Sequence, residues 1–243
     1  MTNYVMLNNV DHFDVKVTDS IFIEASDNKA AVLTFPTEFA NIQKEYPILL
    51  SKDPASGQYQ PVALLGIQKD ENLFLQKNAD GNGYTWPRSY IPAVIAKGPF
   101  ITGFREQADG EREAMVYIDL TNPKVQKSSG KPLFLQHGGS APYLDYITKL
   151  LGLIQSGKEV SDLMFGMFAE LDLIEPITIN IDLANSDKHQ LRGYYTISEE
   201  KLKNLSGDKL EALNRSGFLQ GAFLMLASLT NIESLIKIKN SRL

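Results

Sequence analysis

The stretch PYLDYITKLLGLIQSGKEVSDLMFGMFAEL, residues 142–171, decides the fold class, because the spacing of the apolar residues changes here from two to nearly four. A spacing of three to four residues is typical of one face of a helix. Ser156 and Glu159 fit a capping box, and Gly157 follows the first apolar series. We therefore expect two consecutive helices that pack as a hairpin.

Upstream of residue 142, the sequence alternates short apolar runs with turn-forming residues, which is typical of strands. The turn at Asp53–Gln58 contains a Pro and a Gly, and it predicts a hairpin between two of these runs. One or two helical turns are predicted over Thr37–Lys44. The predicted strands are Lys29–Phe35, Tyr46–Leu50, Tyr59–Ile67, Asn72–Gln76, Ile101–Arg105 and Met115–Leu120.

Downstream, one more pair of strands interrupts the helices. Ile174–Leu183 and Gln190–Ile197 lie on either side of a turn and alternate apolar with polar residues, which predicts a β-hairpin. The final helix is predicted from Phe218 to about Lys239. Because its first half is apolar on all sides, we expect this half to be the most buried helix, with Leu226 in the core.

Together these patterns predict an α+β protein. A strand-rich N-terminal part, residues 1–136, precedes a helix-dominated C-terminal part, residues 142–243, which contains the further β-hairpin. The strands and helices are segregated rather than alternating, which favours α+β over α/β. A chain of 243 residues lies near the upper size for one hydrophobic core, so we expect a single domain over residues 1–243.

The charge pattern argues against nucleic acid as a partner. The 29 acidic and 24 basic residues leave a formal net charge of −5, and Lys and Arg form no stripe or cluster. Affinity for phosphate backbones depends on clustered cations that release counterions. We therefore expect no nucleic-acid partner.

The chain has no Cys, which excludes disulfides, thiolate nucleophiles and Cys-based metal sites. His12, His137 and His189 are far apart in the sequence, and none belongs to a paired-His motif. The glycine-rich motifs of common nucleotide sites are also missing. We therefore predict no metal and no cofactor, and the sequence identifies no catalytic residue.

The sequence predicts a cytoplasmic protein without a membrane span. Its richest apolar stretch, Phe218–Leu229, is shorter than the roughly 20 residues that a helix needs to cross a bilayer. Met1–Val10 has no Lys or Arg ahead of an apolar stretch, which a secretory signal would have.

Trp86, Arg88 and Tyr90 form the candidate binding site. An indole, a guanidinium and a phenol that lie close together can bind a ligand by stacking and by bidentate hydrogen bonds. The alternative interpretation is a core Trp with a charged neighbour at the rim of the core.

Asp119 and Asp182 are the candidate residues for acid–base chemistry, because each follows an apolar strand and the two could converge as a carboxylate pair. Carboxylates at the ends of strands are also common as turn formers. The sequence leaves both interpretations open.

Several short blocks have an order and spacing typical of one bacterial family. These blocks are Tyr46-Pro47-Ile48, Asn72-Leu73-Phe74, Trp86 with Tyr90-Ile91-Pro92, Gly98-Pro99-Phe100, Leu173-Ile174-Glu175-Pro176, Gly193-Tyr194-Tyr195 and Leu213-Asn214-Arg215-Ser216-Gly217. On these blocks, the sequence resembles the SapC family over about residues 30–239. The resemblance implies a link to the bacterial cell surface, since the family was named for surface-layer secretion, but it implies no catalytic residue.

Two functions remain open on this basis. The first is a non-catalytic binding or accessory protein of a bacterial surface-associated pathway, which engages a peptide or protein partner through the region of Trp86. The second is an enzyme or enzyme subunit with carboxylate-based chemistry. A deep polar cleft with convergent Asp or Glu would favour the enzyme, whereas an apolar patch would favour the binding protein.

Overall fold

The computed structural model describes residues 3–18, 28–79, 83–106 and 110–243. In chain order, its strands are β1 Tyr4–Met6, β2 Lys16–Val17, β3 Ala31–Leu33, β4 Ile48–Lys52, β5 Tyr59–Leu64, β6 Gln76–Lys77, β7 Tyr84–Thr85, β8 Phe100–Glu106, β9 Arg112–Asp119, β10 Val125–Gln126, β11 Lys131–Pro132, β12 Ile174–Asp182 and β13 Lys188–Ile197. Its helices are α1 Phe39–Ile42, which follows a 3₁₀ turn at Pro36–Glu38, α2 Ala93–Ala96, α3 Pro142–Glu170, α4 Glu199–Lys203, α5 Gly207–Arg215, α6 Phe218–Ser228 and α7 Asn231–Asn240. Strands dominate before residue 142 and helices dominate after it, so the predicted α+β class is confirmed.

The chain forms two compact units. The described residues of the first fall within Met1–Ile23, Gln76–Trp86 and Ala93–Ile154, and the second comprises the rest. The first unit contains two three-stranded sheets, ordered β1-β9-β8 and β10-β2-β11, and the pair β6-β7. Its core is made of aliphatic and aromatic side chains from these strands, from residues directly beside them and from α3, namely Val15, Val17, Phe100, Ile118, Leu133, Ile147 and Leu151. The single domain expected over residues 1–243 stays a prediction.

The second unit is built on one five-stranded antiparallel sheet, ordered β12-β13-β4-β5-β3. The predicted hairpin between β12 and β13 is confirmed, and so is the hairpin that joins β4 to β5 across the turn at 53–58. β13 also pairs with β4, where Tyr195 lies opposite Leu50. The late hairpin therefore completes a sheet that the N-terminal strands begin.

The prediction of two helices over residues 142–171 is wrong, because α3 is one continuous helix of 29 residues. Gly157 lies inside it. A Cβ at this position would lie 2.6 Å from the Cβ of Phe35 and 2.6 Å from the Oγ1 of Thr37. The glycine is therefore needed for close packing and does not end a helix. Ser156 and Glu159 have the spacing of a capping box, but both lie inside α3 and mark no helix end.

The predicted strand at Asn72–Gln76 is also wrong, apart from Gln76 at the start of β6. The Asn72 side chain accepts a hydrogen bond from the backbone N–H of Phe74 at 3.0 Å, which makes a local turn. Leu73, Phe74 and Leu75 are buried in this turn. An apolar run in a buried turn has the same composition as a short strand, and the sequence pattern does not separate the two.

The predicted final helix is divided into α6 and α7 at residues 229–230. The Ser228 hydroxyl donates to the Met225 carbonyl at 2.6 Å, and the Thr230 hydroxyl donates to the Ala227 carbonyl at 2.9 Å. Such bonds from side chains to the preceding turn compete with the regular helix. Ser228 also accepts a hydrogen bond from the Ile48 N–H at 2.8 Å, which fastens α6 to β4.

One face of α6 is buried rather than its whole circumference. Met225 and Ala222 are fully buried, whereas Leu226 is half-buried and Phe223 is 56% exposed. The expectation that this is an all-round core helix with Leu226 at its centre is therefore wrong. The sequence pattern failed here because an apolar surface on a helix need not be covered by the same chain.

Among the described residues, the helical segment Phe218–Asn240 has the length and composition to cross a membrane, with a mean hydropathy of 1.3. A core helix of a water-soluble protein meets the same two criteria. The absence of a membrane span stays a prediction.

Candidate functional site

The three residues of the predicted binding site have different surroundings. Trp86 is 8% exposed and belongs to the first unit. Arg88 and Tyr90 belong to the second unit, where Arg88 is exposed and Tyr90 is half-buried. The burial of Trp86 fits the alternative interpretation of a core indole, so the accessible part of the candidate site centres on Arg88.

The Arg88 guanidinium lies over the Phe74 ring, with its Cζ 5.0 Å from the ring centroid. Phe74 in turn packs edge-on against Tyr46, with 4.8 Å between the ring centroids. This stack fixes the position of the guanidinium by a cation–π contact. Within the part of the chain that the structure describes, Arg88 forms no hydrogen bond and no ion pair. Its five N–H donors are therefore available to a partner.

Tyr90 uses its hydroxyl internally. It donates to Oε2 of Glu38 at 2.8 Å, and the Thr34 hydroxyl donates to Oε1 of the same carboxylate at 2.8 Å. Glu38 is only 1% exposed, and Tyr46 donates its own hydroxyl to the backbone carbonyl of Tyr90 at 2.6 Å. These bonds hold the backbone around Arg88 against the elements that carry Glu38 and Tyr46. Glu38 could not be predicted from the sequence, because no local pattern distinguishes a buried carboxylate from an exposed one.

Glu45 provides a further tie to this segment. Its Oε1 accepts a hydrogen bond from the Ser89 N–H at 3.1 Å. Its Oε2 is buried and has no hydrogen-bond partner among the described residues. The backbone on both sides of Ser89 is thus held, by Glu45 at the amide and by Tyr46 at the carbonyl of Tyr90. Arg88 is presented from a fixed backbone.

A polar cavity of about 360 Å³ lies elsewhere in the second unit. It is lined chiefly by the segment Gln68–Leu73, by Asn28, by Lys239 at the end of α7 and by Arg242 just beyond α7. We call it the polar cavity.

Glu71 lines the polar cavity and is held by several internal bonds. Its Oε1 accepts from the Lys239 ammonium at 2.5 Å, and its Oε2 accepts from the Ile67 N–H at 2.9 Å and the Gln68 N–H at 3.3 Å. Burial opposes ionisation of this carboxyl, but the ammonium and the two amides outweigh it, so the pKa of Glu71 lies below its ordinary value. Glu71 is therefore a permanent anion near neutral pH.

An apolar groove lies between α6 and the pair α4 and α5. Its volume is about 500 Å³, and we call it the apolar groove. It is lined mainly by Leu202, Leu210, Leu219, Phe223, Leu226 and Ala227, with Glu199 and Lys203 at its edge. Glu199 and Lys203 pair with each other at 2.8 Å, so the edge carries no uncompensated charge from these two residues.

Asp119 and Asp182 are each explained by local contacts. Asp119, in the first unit, accepts hydrogen bonds from the Asn3 N–H at 3.0 Å and from the Thr121 N–H and hydroxyl at 3.0 and 2.7 Å. Asp182, in the second unit, is exposed and lies 4.0 Å from the Lys188 ammonium. These contacts fit turn and surface roles. Across the described ranges, no group of three or more His, Asp or Glu side chains could hold a metal ion.

Comparison with known proteins adds one finding. The family model of SapC matches residues 7–235 of the chain. No curated protein and no solved structure matches it. Because the match covers nearly the whole chain, including both units, the protein belongs to the SapC family.

Proposed function

We propose that this protein is a non-catalytic binding or accessory protein that engages a peptide or protein partner through Arg88. The observation that carries the proposal is the exposed guanidinium, which is stacked on Phe74 and bonded to no carboxylate or carbonyl among the described residues. Arginine side chains held in this way are common at the energetic centres of protein interfaces.

The partner group that suits Arg88 is a carboxylate. A guanidinium and a carboxylate form two parallel hydrogen bonds, which are stronger than bonds between neutral groups. The Phe74 ring and the bonds of the neighbouring backbone already restrict the arginine, so little further side-chain entropy is lost on binding. An acidic side chain or a peptide carboxyl terminus would provide the group.

The apolar groove supports a protein partner independently of Arg88. Phe223 is 56% exposed there, and apolar surface of this kind on a helix is common at sites of protein association. A role in a bacterial surface-associated pathway remains part of the proposal and rests on the family alone. A cytoplasmic location also remains a proposal.

The alternative, an enzyme or enzyme subunit with carboxylate chemistry, has one observation in its favour. The polar cavity contains Glu71 and Asp70. Glu71, however, is ionised and paired with Lys239, which suits the binding of a ligand better than the transfer of a proton.

The test compares the parent with Arg88→Gln and with the control Arg192→Gln. Arg192 is exposed in the same unit, and its side chain makes no hydrogen bond to the described chain. Partners are captured from a lysate of the native bacterium and identified by mass spectrometry, and affinity is then measured with the purified partner at one salt concentration. We expect Arg88→Gln to bind about fivefold more weakly or worse, with an unchanged melting temperature.

Arg192→Gln should bind like the parent. Equal affinity of the parent and Arg88→Gln for every captured partner would remove Arg88 as the binding residue. A purified parent that turns over a small substrate, with activity lost on substitution of Asp70 or Glu71, would favour the enzyme instead.

A further inference from the structure

The polar cavity has walls whose geometry is fixed by internal bonds. The Glu71–Lys239 pair is mostly buried, with side-chain exposures of 17% and 14%. Arg242 donates from Nη2 to the carbonyls of Leu73 and Leu75 at 2.6 and 3.2 Å, which ties the last residues of the described chain to the segment that lines the cavity. The volume of about 360 Å³ lies within the roughly 300 to 1,000 Å³ common for ligand pockets.

Three charged side chains of this wall have no ion-pair partner in the described ranges. Among the described residues, the side chains of Lys69 and Asp70 form neither hydrogen bonds nor ion pairs, and the Arg242 guanidinium bonds only to backbone carbonyls. The Lys239 charge, by contrast, is neutralised by Glu71. The cavity therefore offers cationic donors and an anionic acceptor at the same time.

We propose that the polar cavity binds a small zwitterion of the α-amino acid class, with its carboxylate on Arg242 and Lys69 and its ammonium on Asp70. A simple anion would bring an uncompensated charge close to Asp70, and a simple cation would do the same at Lys69 and Arg242. A ligand with both charges satisfies all three groups. The cavity is large enough for an amino acid and its side chain, and its polar lining disfavours a purely apolar ligand.

The backbone of Asp70 limits the substitutions that can test it. It has φ of +58°, in the left-handed region that residues other than Gly, Asn and Asp rarely adopt. The substitution Asp70→Asn removes the charge and keeps a residue that tolerates this backbone.

This site is separate from Arg88, so either proposal can fail alone. The first experiment changes the ligand and uses the unmodified full chain. Pools of free L-amino acids are offered at about 10 mM, and binding is detected by saturation-transfer NMR, which is sensitive to millimolar affinities. Each amino acid that binds is then compared with its N-acetyl derivative and its carboxamide. We expect each block to weaken binding about tenfold or more, because each removes one charged contact.

The second experiment changes the protein. Asp70→Asn should lower the affinity for the free amino acid about tenfold and leave the weak affinity for the N-acetyl derivative unchanged. Lys69→Gln and Arg242→Gln should lower the affinity for the free amino acid and leave the affinity for the carboxamide unchanged. The controls Asp208→Asn and Arg215→Gln, exposed in the same unit, should change nothing.

Three results would overturn the proposal: no binding by any amino acid pool, equal binding of blocked and free forms, or binding that survives both Asp70→Asn and Lys69→Gln. The exposed side chains of Lys69 and Asp70 bond to no other described residue, so these two variants should fold like the parent, and a melting curve checks this. Loss of binding in Arg88→Gln alone would place the amino acid at Arg88 and equally overturn it.

Discussion

Gly157 shows how a single hydrogen atom can decide a packing contact. A Cβ there would lie 2.6 Å from Phe35 Cβ and from Thr37 Oγ1, closer than side-chain carbons normally come. We expect Gly157→Ala to destabilise the protein by about 1 to 3 kcal/mol, despite the better helix propensity of Ala, because the backbone or Phe35 must shift. Urea denaturation measures the change.

Gly166, in the same helix, is the matched control, since a Cβ there meets nothing within 4 Å. Gly166→Ala should leave stability unchanged or raise it by up to about 1 kcal/mol. If both substitutions have the same effect, the contact with Phe35 does not determine the residue at 157.

Tyr90 carries a second prediction at this scale. Tyr90→Phe removes the hydroxyl that donates to buried Glu38, so we expect a loss of about 1 to 3 kcal/mol in the free energy of unfolding. Thermal and urea unfolding measure it. Tyr146→Phe is the control, because this ring is half-exposed and its hydroxyl bonds to no described residue; it should stay within about 0.5 kcal/mol of the parent. If Tyr90→Phe is as stable as the parent but binds the partner more weakly, the Tyr90 hydroxyl belongs to the binding site instead.

The sequence predicted which residue types could bind, but not how each is used. Arg88 could be recognised as a polar side chain near aromatic residues. That the Tyr90 hydroxyl is bonded to Glu38 depends on two segments 52 residues apart, and no local pattern contains this information.

At the scale of single elements, two neighbouring apolar residues of α6, Met225 and Leu226, have different surroundings that the sequence pattern does not reveal. Met225 is fully buried, whereas Leu226 lines the apolar groove. We expect Met225→Asp to prevent folding, because an unpaired buried carboxylate costs several kcal/mol, comparable to a typical total stability of about 5 to 15 kcal/mol. Leu226→Asp should give soluble, folded protein with a smaller loss of stability.

Soluble expression and circular dichroism distinguish the two variants. If neither variant folds, the apolar groove is part of the core. If Leu226→Asp folds and also loses a captured partner, the groove is part of the binding surface.

The elements were predicted well where local spacing alone defines them. The β12–β13 hairpin, the β4–β5 hairpin and the helical turns after Pro36 all follow from short patterns of alternation and turn residues. The division of α3 was predicted wrongly, because Gly157 is explained by Phe35, which is distant in sequence. The pairing of β13 with β4 was not predicted for the same reason.

At the scale of the whole molecule, Glu71 links stability to pH. Its pKa is lowered in the folded protein from an ordinary value of 4.5, so ionised Glu71 stabilises the fold above that pH. The contribution is lost as the pH falls through the folded pKa. We expect Glu71→Gln to be less stable than the parent by about 1.5 to 3 kcal/mol near neutral pH, since a charged hydrogen-bonded pair is lost.

The difference between parent and Glu71→Gln should shrink as the pH falls below 4.5. Urea unfolding at several pH values measures it. Glu211→Gln, at an exposed helical pair with Arg215, is the control and should cost less than about 1 kcal/mol at every pH. If the difference in the free energy of unfolding between parent and Glu71→Gln is the same at every pH, the bond to Lys239 does not depend on ionisation of Glu71.

The order of strands in the five-stranded sheet has a consequence for synthesis of the chain on the ribosome. β4 and β5 can pair early, but Tyr195 of β13, which lies opposite Leu50 on the other edge of β4, is made only about 130 residues after the end of β5, roughly 7 to 26 s later at bacterial elongation rates. During that interval a nascent chain carries an unpaired apolar edge, which is the kind of surface that other strands join. Codon changes that slow translation between β5 and β12 should therefore increase the dependence of this protein on chaperones, without any change in its amino-acid sequence.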